Sequence, residues 1–65
     1  MVESKKEIVE KFIKKNGFIW IMKISRKTGV SYATVYKWVR ILELEGKVKT
    51  KEVGGMRVVE WVSKK

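Results

Sequence analysis

The side chains able to do chemistry in this sequence are few in kind. Sixteen Lys and Arg stand against seven carboxylates, all of them Glu, and the chain has no His, no Cys and no Asp. Catalytic devices built on imidazole or thiolate are excluded, as are disulfide staples and zinc knuckles. Ser–Lys or Glu pairs remain, but none stands in a recognisable cleft motif. Glu43 and Glu45 flank Leu44 and diverge on a helix, so they do not act as a pair. The expectation is no enzyme, no cofactor, no metal and no small-molecule substrate. What is abundant is cation: the net charge is +9, while 45% of the chain is still apolar. A chain this basic meets a polyanion, and one this apolar is not a disordered tail. Nucleic acid, an anionic membrane surface and an acidic protein are the candidate partners.

The cations need elements to aim them. Sixty-five residues make one small domain, expected to span 1–65, with no repeat or linker. Ser4-Lys5-Lys6-Glu7 reads as a capping box opening a first helix, whose apolar stripe is Ile8, Val9, Phe12 and Ile13 and whose end is Asn16-Gly17. Phe18-Ile19-Trp20 favours a short strand. A second helix follows to about Thr28, with Ile21 and Ile24 inward and Lys23, Arg26 and Lys27 outward, closed by Gly29. Ser31 then caps a third helix running to Glu45, where Gly46 stops it. At helical spacing Val35, Val39 and Leu42 share one side of this helix, with Trp38 at the margin. Ala33, Lys37 and Arg40 share the other, with Tyr36 at its edge. Lys47–Val53 and Met56–Val62 flank the turn signal Gly54-Gly55. Pairing Val53 with Met56 sets Glu52 opposite Arg57 and Lys49 opposite Glu60, and puts Thr50–Val59 and Val48–Trp61 on one inward face. A slip of one residue loses both charge matches.

From Trp20 through Val62 this order resembles the winged helix-turn-helix family. The resemblance is carried by Ile24-Ser25-Arg26-Lys27-Thr28-Gly29-Val30-Ser31, by Thr34-Val35-Tyr36-Lys37-Trp38-Val39, and by Leu42-Glu43-Leu44-Glu45-Gly46-Lys47-Val48 before the hairpin. It implies an α+β fold, a three-helix winged helix-turn-helix with a C-terminal two-stranded β-hairpin wing. It further implies a double-stranded-DNA-binding protein, a sequence-specific transcriptional regulator akin to small archaeal and viral ones. Helix 3 (31–45) would read the major groove and the wing (47–62) the backbone or minor groove. On that reading the nucleic-acid-binding residues are Ser31, Tyr32, Ala33, Thr34, Tyr36, Lys37 and Arg40 on the helix, with Lys49, Lys51 and Arg57 on the wing. Lys37 or Arg40 suits guanine, Ala33 or the Thr34 methyl suits a thymine methyl, and Ser31 stands where a helix N-terminus favours phosphate. Arg57, near the wing tip, ranks first among the wing cations. Many family members hold polar residues where this chain has Trp38 and Ile41, which marks those two as candidate homodimer contacts. Readers of left-handed DNA place an Asn and a Tyr on the helix and prolines in the wing. This chain has Tyr36 and Arg40 at the nearest positions and no proline, which argues against that sub-family.

Each feature also has a plainer reading. Lys5, Lys6, Lys11, Lys14 and Lys15 read as a solvated face, and Lys64 and Lys65 as a soluble end. Trp38 and Ile41 serve equally as an extension of a small core, and Trp20 and Trp61 as core rather than base-stacking platforms. The longest apolar run, Phe18 to Met22, is far short of the roughly 20 residues of a membrane span, and no secretory signal opens the chain. The expected location is cytoplasmic, with no membrane partner. Abundant Lys and Glu with one Asn and no Gln fit a protein from a hot environment. Two alternatives stand beside the specific regulator: a non-specific architectural DNA binder, and a winged-helix protein-interaction module using Trp38, Ile41 and Leu44.

Overall fold

A computed structural model describes residues 4–63 of the chain, so Lys64 and Lys65 lie outside the described residues. The elements follow in the order α1 (Lys5–Asn16), β1 (Phe18–Trp20), α2 (Ile21–Thr28), α3 (Tyr32–Leu44), β2 (Val48–Val53) and β3 (Met56–Trp61). The architecture is α+β, a three-helix winged helix-turn-helix whose hairpin wing is β2–β3.

Local chemistry sets the boundaries. The capping box is complete: the Glu7 backbone N–H donates to Ser4 Oγ, and the Ser4 N–H donates to the Glu7 carboxylate. The turn between α2 and α3 is tied on both sides. Ser25 Oγ donates to the Val30 carbonyl at 2.6 Å, Thr28 Oγ1 donates to the Ile24 carbonyl, and the Val30 N–H returns to Thr28 Oγ1. Gly29, left-handed at φ 77°, closes α2 between those bonds. Ser31 Oγ accepts from the Thr34 N–H and donates to its hydroxyl, which starts α3. That helix ends one residue before the expected Glu45. Gly46 N–H bonds the Glu43 carbonyl and Lys47 N–H the Leu42 carbonyl, the reciprocal pair of a Schellman ending.

The hairpin register is the expected one throughout, from Val48↔Trp61 to Val53↔Met56. Gly54 and Gly55 both have positive φ, 57° and 82°, as the two-residue turn of a twisted hairpin requires. The short strand β1 joins this hairpin, giving a sheet of order β1-β3-β2 in which Ile19 faces Val59 and Trp20 faces Val58. Local sequence patterning carries no sign of that non-local pairing. The core gathers Val9 and Ile13 of α1, Ile19 of β1, Ile21 and Ile24 of α2, Val30, and Val35, Val39 and Leu42 of α3, against Val48 and Val59 of the sheet. No polar or charged residue is buried among the described residues. Val58 is also buried, but it belongs to the opposite sheet face, between Trp20 and Lys51 in register, and an alternating inward set does not anticipate it.

Candidate nucleic-acid interface

The outer side of α3 is bare. Ala33, Lys37 and Arg40 are exposed, while Val35, Val39 and Leu42 on the opposite side are fully buried. Neither Lys37 nor Arg40 enters an ion pair among the described residues. Lys37 Nζ lies 4.9 Å from the centroid of the Trp38 ring, a cation–π contact that leaves the ammonium in water. Leu44 continues the same stripe and is 83% exposed.

The wing approaches this helix through Arg57. In a strand successive side chains alternate between faces, so Arg57, Glu52, Thr50 and Val59 share the sheet face turned toward the helices. The Arg57 guanidinium carbon stands 5.3 Å from the centroid of the Tyr36 ring. Tyr36 is half-buried against the core and acts as a platform that fixes a wing cation beside α3. Tyr32, one turn earlier and half exposed, lines a small cleft with Met22, Gly55, Met56 and Arg57. The Thr50 hydroxyl donates to the Glu43 carboxylate at 3.2 Å, a second tie between wing and helix.

Of the residues singled out in the sequence, Tyr32, Ala33, Lys37, Arg40 and Arg57 are exposed around the outer side of α3. Ser31 is exposed, with its hydroxyl committed to the cap, and Thr34 is half-buried with its hydroxyl bonded to Ser31. Lys49 and Lys51 are exposed but belong to the other sheet face, opposite Glu60 and Val58, so the structure does not bring them together with Arg57. Trp38 packs against the core and Ile41 is half-buried, so the chain's own core takes up part of the apolar surface that marked them as dimer contacts. The Trp38 indole N–H is buried and meets no acceptor among the described residues.

Charge is segregated in a way composition alone does not reveal. Lys6 pairs with Glu45 at 2.8 Å, and Lys47 pairs with Glu10 at 3.0 Å and with Glu45 at 3.6 Å. This network ties α1 to the end of α3 and the start of β2, so Lys6 is not merely part of a solvated face. The hydrogen bond from Lys6 holds the Glu45 carboxyl below the usual carboxylate range, and the one to Glu10 raises the Lys47 ammonium above its ordinary value. Four carboxylates, Glu7, Glu10, Glu43 and Glu45, are engaged by the cap, this network and Thr50. The cations of α2 and of the outer side of α3 have no such ion-pair partners among the described residues.

No group of three or more potential metal-ligating side chains occurs among the described residues, and no helix there is long and apolar enough to cross a membrane. A scan against protein-family models finds no match, and a search of curated proteins finds no significant match.

Proposed function

We propose that the chain is a double-stranded-DNA-binding protein of the winged helix-turn-helix family, a cytoplasmic, sequence-specific transcriptional regulator. The observation that carries this reading is the outer side of α3: Ala33, Lys37 and Arg40 stand exposed and unpaired, with Arg57 of the wing held beside them on the Tyr36 ring. A helix fits the major groove, where Lys and Arg donate to guanine N7 and O6 and a small apolar side chain meets a thymine methyl. Arg57 adds a cation at the flank, on the backbone or in the minor groove. The Tyr36 platform lowers the entropy cost of holding that side chain in place.

Selection of bound duplexes from a random pool tests the reading. The expected result is a consensus that wild type prefers and that variants lacking Lys37 and Arg40 no longer distinguish. A palindromic consensus with half-sites about one helical turn apart adds a homodimer to the proposal. The row Lys23, Arg26 and Lys27 on α2 favours a second reading, a non-specific architectural binder, because exposed cations off the groove-facing helix add affinity without sequence information. Under that reading no consensus emerges, and the Lys37 and Arg40 variants weaken binding equally on all duplexes.

A further inference from the structure

Behind the wing, on the face of the sheet turned away from the core, lies a groove of about 300 Å³ lined by Trp20, Met22, Lys23, Arg26, Lys27 and Met56. Its floor is apolar. Trp20 comes from β1, Met56 from the start of β3, and Met22, 46% exposed, from the first turn of α2. One bank is the exposed cationic row Lys23, Arg26 and Lys27, none of which forms an ion pair among the described residues. Across the sheet the register runs Trp20, Val58, Lys51, so a further cation stands beyond the aromatic side. Phe18, 53% exposed, extends the apolar surface along β1 on the same face.

We propose that this groove is a docking site for an acidic peptide segment of a partner protein, one that carries a bulky apolar side chain between its carboxylates. Two observations select that occupant. The floor of thioethers and an indole is adaptable apolar surface, which phosphate contacts do not need and a Phe or Leu side chain does. The banks carry cations, which a partner's Glu and Asp complement, whereas a second copy of this +9 chain would bring like charge to the same rim. The groove adjoins the cleft of Met22, Tyr32, Gly55, Met56 and Arg57, sharing Met22 and Met56 with it. A partner seated there would lie at the border of the proposed DNA surface while leaving Ala33, Lys37 and Arg40 uncovered. The proposal does not depend on the DNA reading.

The test is a titration of the isotopically labelled protein with a short synthetic peptide of Glu residues flanking one Phe and one Leu. A control peptide has both apolar residues replaced by Ala. The expected result is movement of the Met22 and Met56 methyl signals and the Trp20 indole signal, with the control peptide binding about tenfold more weakly. The paired substitution Lys23→Glu and Lys27→Glu, both on exposed positions, should weaken the first peptide by a similar factor while thermal unfolding stays cooperative. Unmoved methyl and indole signals would overturn the proposal. So would equal binding of the control peptide, which reduces the groove to a cluster of cations, or shifts confined to Ala33, Lys37 and Arg40, which make the peptide a mere mimic of DNA. Concentration-dependent shifts of the same signals without peptide would assign the groove to a second copy instead.

Discussion

Lys37 and Arg40 are legible in the sequence because helical spacing alone puts them opposite Val35, Val39 and Leu42, and the structure leaves them exposed. Arg57 is different. Counting the hairpin register pairs it with Glu52, but only the fold brings its guanidinium over Tyr36, because that contact joins residues whose spacing follows no local period. On a selected duplex, Arg40→Ala and Lys37→Ala should each cost about 1–3 kcal/mol of discrimination against the wrong base, read as the ratio of affinities for cognate and mutated sites. Equal losses on both sites would assign these side chains to phosphate. Glu45 yields a prediction about pH. Its carboxyl, held low by Lys6, binds fewer protons in the folded chain than in the unfolded one through the acid range. Its stabilisation is therefore full above the ordinary carboxylate range and is lost as the pH falls through the lowered folded value. Lys47 behaves oppositely: its stabilisation persists up to the ordinary Lys range and is lost as the pH rises through the raised folded value. In urea titrations at stepped pH, Glu45→Gln should flatten the acid-side fall in midpoint; an unchanged slope would remove Glu45 from that role.

The elements whose boundaries are set by neighbours in the chain are the ones the sequence specifies well. The capping box at Ser4–Glu7, the Ser31 cap and the diglycine turn each rest on residues a few positions apart, and all three appear as expected. What local pattern does not carry is assembly at long range: β1 pairing with β3, the burial of Val58 beneath a second sheet face, and Lys6 and Lys47 reaching carboxylates 39 and 37 residues away. The turn offers a direct check on the wing. Gly55 has φ 82°, a backbone conformation that a β-branched residue adopts only at a cost of about 1–2 kcal/mol. Gly55→Val should lower thermal stability by about that amount and displace Arg57 from Tyr36, visible as a change in the Tyr36 ring signals. Unaltered stability would show that the turn is not held as described.

At the scale of the whole molecule, the proposed function rests on where the charge is left uncompensated. Carboxylates cluster where α1 meets the end of α3 and pair with Lys6 and Lys47, which leaves cations without an ion pair among the described residues on α2, the outer side of α3 and the wing, and also Lys5, Lys14 and Lys15 on α1. With about four to six of those cations on phosphates, duplex affinity should fall with a log–log salt slope of about −4 to −5. A slope near zero would contradict a nucleic-acid partner. The domain is 38 Å in its longest dimension, comparable to one turn of duplex, about 34–36 Å, so on the proposed reading one copy would span roughly one half-site. The most direct test of the central claim is an amide-shift map of the labelled protein during titration with its selected duplex. The largest shifts are expected on Ala33, Lys37, Arg40 and Arg57, with α1 quiet. Shifts centred on α1, or none at all with a duplex at low salt, would contradict it.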